Sequence, residues 1–208
     1  MSPYDHLIGC ELASGLWSWN SDRALLYAVG VGAGLDDPQQ ELQFTTENTP
    51  GVPQQVIPSF MTLMLLQSNW LERLGWESEG LSPVGMVHGE QSVTLARPLP
   101  VEGKAHLSTV LQGVYDKGSG ALVDKVTRIT LVKDGVDTGE LLGSACMRLF
   151  AQGKGGFGGP RGPAGEAPGP ERRGADVEHS PPPYRGRARG RPQVRVVWTV
   201  NSRKPRRA

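Results

Sequence analysis

Four histidines, His6, His88, His106 and His179, are the side chains of this 208-residue chain best suited to move protons near neutral pH. His88 stands in the run Val87-His88-Gly89-Glu90-Gln91, where period-two alternation predicts a strand and residues two apart share a face. His88 and Glu90 are therefore expected on one side, either polarising a proton together or joined by a structural hydrogen bond. Gly89 between them has no Cβ, which lets a ligand approach the strand backbone closely. Lys117 opens the turn Lys117-Gly118-Ser119-Gly120 and offers an ammonium to a phosphate oxygen, unless it is an ordinary solvated turn lysine. His179 follows Glu178 but lies in proline-rich text without a rigid shell, so no catalytic role is assigned to it. Cys10 and Cys146 are far apart and make no metal-ligand spacing; two reduced thiols and no metal site are expected. Gly30, Gly32 and Gly34 follow a helix rather than a strand and do not match Gly-x-Gly-x-x-Gly, which argues against a dinucleotide loop.

These groups need elements to hold them. Ser21-Asp22 precedes a short capped helix from Arg23 to Val31. Glu41 to Thr46 alternates as a short strand, and Pro50 and Pro53 enforce a loop. From Pro58 to about Leu74 apolar residues cover most of a helical circumference, which predicts a buried helix. Four strands follow, over Val87–Ala96, Lys104–Asp116, Ala121–Lys133 and Glu140–Phe150, separated by short glycine-containing turns. One buried helix followed by consecutive antiparallel strands predicts an α+β domain with an antiparallel meander.

The net charge of +1 hides two different halves. Residues 1–152 hold 9 Lys+Arg against 17 Asp+Glu, and residues 153–208 hold 13 against 4. The domain is expected to occupy 1–152, with 153–208 a Gly/Pro/Arg-rich linker and tail, disordered by default. Within the tail, Val194 to Val200 has the composition of a strand, an aggregation liability if unpaired. No basic-then-apolar leader opens the chain, and no apolar run approaches the ~18 residues of a membrane span. A cytoplasmic chain is expected, peroxisomal in a eukaryote.

Six strings occur in order: Tyr27-Ala28-Val29-Gly30-Val31-Gly32-Ala33, Glu41-Leu42-Gln43-Phe44, Val87-His88-Gly89-Glu90-Gln91, Arg97-Pro98-Leu99-Pro100, Asp116-Lys117-Gly118-Ser119-Gly120 and Gly155-Gly156-Phe157-Gly158-Gly159. In this order the chain resembles, over roughly residues 1–163, the N-terminal half of the type 2 (R-specific) enoyl-CoA hydratases. These are MaoC-like dehydratases, and they include the hydratase part of peroxisomal multifunctional enzyme type 2. The resemblance implies a single hot-dog repeat, an antiparallel sheet wrapped around a central helix, that accommodates the acyl chain of a coenzyme A thioester. It also implies that His88, Gly89 and Lys117 contact that ligand.

Hydration of an enoyl thioester to a (3R)-hydroxyacyl thioester needs a base for water, an acid for the α-carbon and donors for the enolate oxygen. In the family a Gly-Asp-x-Asn-Pro-(apolar)-His segment supplies the acid–base pair, and no such string occurs here. No catalytic residue is therefore assigned. The chain alone is expected to show little or no hydratase activity, and no cofactor is needed because the nucleophile is water. Its ancestry is that of a hydratase represented by its acyl-binding half, and a frame-shifted tail is one account of the break. A binding subunit completed by a second hot-dog repeat in trans is the alternative, and an isolated first repeat is expected to self-associate through exposed apolar surface. Nucleic-acid binding by Arg185, Arg187, Arg189 and Arg191 with Tyr184 and Trp198 is a third, weaker idea.

Overall fold

Alternating apolar residues over most of the chain after residue 86 close into one antiparallel sheet, and the shorter helical pieces come before it. The computed structural model describes residues 2–66 and 86–162, and the backbone of 194–199. The strands are β1 (Glu11–Trp19), β2 (Met86–Leu95), β3 (Gly103–Asp116), β4 (Gly120–Lys133), β5 (Val136–Gln152) and β6 (Val194–Thr199), in the spatial order β1-β3-β4-β5-β2-β6. All neighbouring pairs are antiparallel.

Three of the four strands foreseen in sequence run as a meander, β3-β4-β5. The fourth corrects the expectation of consecutive pairing. β2 lies beyond β5 rather than beside β3, with Val93 opposite Ala145. The edge it would have taken on β3 is filled by β1, where Trp17 stands opposite Ala105. β1 was not foreseen, although Trp17 and Trp19 with Leu16 and Ser18 carry a period-two signal. The Asp134-Gly135 pair, both at positive φ (49° and 78°), turns β4 directly into β5, so β5 begins earlier than Glu140.

The helices also depart from expectation. Helix α1 (Ser21–Gly30) is capped one residue earlier than foreseen, by Asn20, whose side chain accepts the N–H of Arg23 at 3.1 Å. Its Ala24 and Ala28 face inward, while Leu26, Val29, Val31 and Leu35 are exposed. The segment read as a strand at Glu41–Thr46 is instead helix α2 (Leu42–Thr45). Glu41 adopts a left-handed conformation (φ 58°) before it and accepts the N–H of Gly34 on its carboxylate, an arrangement that a strand would not permit. The helix foreseen from Pro58 begins as a 3₁₀ turn, Pro58–Phe60, and continues as α3, Met61–Leu66. Its expected continuation to Leu74 falls outside the described residues, as do 163–193 and 200–208 of the tail.

Phe60, Met61 and Met64 are fully buried against the inner face of the sheet, with Val93, Leu95, Ile129 and Leu142. Gly143 allows this close approach, because a Cβ there would meet Met61 Cε at 2.6 Å. Phe60 also touches Trp17 (5.7 Å between ring centroids) and Tyr27 (5.6 Å, edge to face). A second apolar cluster, including Leu12, Leu111, Val123 and Leu149, fills the other end of the same face. No helix among the described residues is long and apolar enough to cross a membrane. Phe60→Ala is expected to lower stability by about 3–5 kcal/mol, read as the shift of the urea unfolding midpoint.

Candidate functional site

The site expected around His88 depends on which face of β2 each side chain takes. His88 stands opposite Leu149 and Glu90 opposite Arg148, with Gly89 as the extra residue of a β-bulge. Leu149 and Arg148 are neighbours on β5 and so point to opposite faces. His88 therefore turns to the inner face and Glu90 to the outer one. The expectation that they share a side is corrected, because the bulge reverses the alternation between them.

On the outer face, Glu90 has its own partner. Arg148 donates from its terminal nitrogen to Glu90 Oε2 at 2.8 Å and from Nε to both carboxylate oxygens of Asp124 at 3.1 and 3.2 Å. Asp124 is buried, and burial pushes its carboxyl above the usual range despite the opposing pull of Arg148. On the inner face, His88 Nε2 is buried and has no hydrogen-bond partner among the described residues. A buried polar nitrogen without a partner is an unusual expense in a folded protein and is commonly met by a ligand or a water. A Cβ on Gly89 would come within 3.4 Å of Arg148 O, so the missing side chain lets β2 and β5 stay close at the bulge.

Lys117 lies three strands away, about 14 Å across the sheet. The ammonium is not the mobile group foreseen: Lys117 Nζ donates to the carbonyl of Arg161. The turn itself is closed by Lys117 N–H on Gly120 O (2.9 Å). His88, Gly89 and Lys117 are thus not brought together at one point: the first two lie on β2 and Lys117 in the β3–β4 turn, with β5 and β4 between β2 and β3.

Two polar groups escaped the sequence analysis. Lys125 is buried on the inner face (3% exposed), between Leu111 and Met147 in register, and burial lowers its pKa to about 6. Its place in a period-two strand between Val123 and Thr127 was the available signal. On the outer face, Ser14 Oγ lies 2.8 Å from His106 Nε2, and His106 Nδ1 lies 3.0 Å from Asp137 Oδ2. The order matches a nucleophile, base and orienting acid. The backbone around Ser14 and His106 is engaged in the β1–β3 ladder, so no oxyanion donors are arranged there, and the trio instead pins the β4–β5 hairpin to β1. Among the described residues no cluster of His, Cys, Asp or Glu is suited to a metal.

An antiparallel sheet with an apolar inner face on a buried helical segment is the arrangement of a hot-dog domain. Residues 17–153 match the family model described as the MFE-2 hydratase 2 N-terminal domain. The chain is 36% identical over 163 residues to the 3-hydroxyacyl-thioester dehydratase Y of Mycobacterium tuberculosis, covering 77% of this chain and 52% of that protein. It is 31% identical over 155 residues to the peroxisomal enoyl-CoA hydratase 2 of Arabidopsis thaliana, covering 74% of this chain and 48% of that one. In fold it is similar to a crystal structure of a MaoC-like dehydratase from Phytophthora capsici, with TM-score 0.59 and 24% identity over 81% of this chain and 55% of that one. The chain belongs to the enoyl-CoA hydratase and 3-hydroxyacyl-thioester dehydratase family that contains the MFE-2 hydratase 2 N-terminal domain. It spans about half the length of the curated relatives it matches.

Two consequences are measurable. The unfolded chain keeps the Lys125 proton up to its ordinary 10.5, whereas the folded chain releases it near about 6. Between those values the unfolded state binds more protons, so stability rises with pH by up to about 1.4 kcal/mol per unit and is lowest below the folded value. Urea midpoints measured from pH 6 to 9 should climb, and Lys125→Met should flatten the slope. Arg148→Ala strands the buried Asp124 carboxylate and should cost about 3 kcal/mol by the same measurement.

Proposed function

We propose that this chain binds a coenzyme A thioester of a fatty or bulky acyl group, as the substrate-holding half of an enoyl-CoA hydratase. The single observation that supports it most is the buried Nε2 of His88, on a largely apolar inner face and without a hydrogen-bond partner among the described residues. An acyl thioester supplies what that nitrogen lacks, a carbonyl oxygen that accepts a hydrogen bond, attached to a chain that prefers Met86, Met147 and Leu149 to water. Gly89 adds no side chain beside it. Lys117 is assigned to the phosphate-bearing end of the ligand, a phosphate oxygen taking the place that the Arg161 carbonyl now holds on its ammonium.

Proton transfer is a separate matter. Among the described residues Glu90 is engaged by Arg148 on the far face, so His88 has no acidic partner within its own pocket wall. Water addition to the enoyl thioester then needs an acid and a base from elsewhere, and the family's Gly-Asp-x-Asn-Pro-(apolar)-His segment is absent from the sequence. A second hot-dog repeat is the natural source, as the chain matches 52% of the dehydratase Y and 48% of the peroxisomal hydratase 2.

Calorimetric titration of the full chain with octanoyl-coenzyme A tests the proposal. Binding is expected, and His88→Ala should weaken it roughly tenfold, the loss of one buried hydrogen bond. Incubation with a trans-2-enoyl-CoA should give no hydrated product above the buffer rate. Affinity indifferent to His88, or steady turnover by the chain alone, would refute the corresponding half of the proposal.

A further inference from the structure

The end of the sheet farthest from α3 is held by one carboxylate. Asp116, the last residue of β3 and 8% exposed, accepts three backbone N–H groups. Gly118 and Gly156 donate to Oδ1 at 2.8 and 2.9 Å, and Gly158 donates to Oδ2 at 2.8 Å. The Gly156 bond is the foremost reason that the Asp116 carboxyl lies below the usual carboxylate range, followed by Gly118. The backbone of Asp116 takes part as well, donating to Pro160 O at 2.9 Å.

The second partner in this arrangement is the segment 153–162, which the sequence suggested was the start of a linker. It is folded back along the β3–β4 turn. Gly153 N–H bonds Ser119 O at 2.9 Å, and Phe157 packs edge to face on Tyr4 at 5.2 Å. Gly155 lies so close that a Cβ on it would meet the carbonyl oxygens of Gly118 and Gly120. This contact explains why glycines crowd positions 155 to 159: their amides and bare Cα atoms are what reach the carboxylate.

The consequence is a change in the company of Lys117. Its ammonium touches the Arg161 carbonyl, and Lys154 sits between the two glycines anchored on the turn. Lys154 and Arg161 are exposed. The Asp116 charge is taken up by amides, and Asp124, the other carboxylate that senses Lys117, is held by Arg148. Three cationic residues therefore lie on or beside one turn, and none of them is ion-paired with a carboxylate among the described residues.

We propose that Asp116 is a positioning residue that builds an anion-binding corner for the phosphate-bearing end of the ligand, tying turn 117–120 to segment 153–162 so that Lys117, Lys154 and Arg161 act together. It rests on the proposed coenzyme A thioester and adds to it two cations and the carboxylate that arranges them. Neutralising contacts of this sort are charge-assisted and weaken as salt rises.

The test uses the full chain and titrates coenzyme A without an acyl group beside octanoyl-coenzyme A. Coenzyme A should bind in a salt-dependent manner, and Asp116→Asn should weaken it roughly tenfold. Lys154→Gln and Arg161→Gln, at exposed positions, should each weaken it about threefold. In a Lys117→Gln background, Asp116→Asn should add less than about twofold, because its effect runs through the ammonium it positions. A carboxylate that merely stabilises the fold would cost the same in both backgrounds, and that result overturns the proposal. So does wild-type affinity in Asp116→Asn, or a chain that binds no coenzyme A. Should Asp116→Asn unfold, as read by circular dichroism, the exposed variants decide, and unchanged affinity in both overturns the corner. Failure of the acyl proposal is separate: octanoyl-coenzyme A would then bind no tighter than coenzyme A and would ignore His88→Ala, while the corner effects persisted.

Discussion

The inner face of the sheet is apolar along its length, and the segment from Pro58 to Leu66 is what keeps water from one end of it. Phe60 is the contact on which the rest depends, because it joins β1 through Trp17, α1 through Tyr27 and the sheet at once. Apolar burial at roughly 25 cal/mol per Å² favours that contact, and the missing Cβ of Gly143 lets the helical segment come near enough to make it. The order of strands follows. β2 leaves the helical side of the domain and joins the free edge of β5, while β1 arrives from the other side to cover β3.

A single inserted residue then divides the chemistry of the sheet between its faces. The bulge at Gly89 places His88 inside and Glu90 outside, where Arg148 serves two carboxylates, Glu90 and Asp124. The inner face carries the buried Lys125, the buried Nε2 of His88 and the Thr109–Thr127 hydroxyl pair at 2.8 Å. A buried group of this kind is costly unless something meets it. The low-dielectric wall that raises the cost also strengthens any hydrogen bond a ligand brings to it.

The far end of the sheet has a different physics. Asp116 is a buried anion answered by backbone amides alone, the reverse of an anion site at a glycine loop. Here the glycines serve the protein's own carboxylate. β6, whose backbone pairs with β2 from Glu90 opposite Thr199 to Leu95 opposite Val194, covers the edge that β2 would otherwise present unpaired. The stretch read in sequence as a liability is thus accommodated on the sheet.

Much of this was legible in the residues. Period-two alternation located β2 to β5 within a few positions, Pro58 marked the start of the buried helical segment, and the ordered strings gave the family. Glu41–Thr46 misled because alternation over six residues fits a strand or a short helix equally, and the left-handed Glu41 decided between them. The linker at 153–162 misled because glycine-rich composition describes chain entropy and not the carboxylate waiting to receive its amides. Residue types and their periods settle which segments become strands and which side of each is apolar, since those depend on neighbours along the chain. Pairing order, the face given to His88 and the company kept by Lys117 depend on hydrogen bonds between residues far apart in sequence, and only the folded chain closes those.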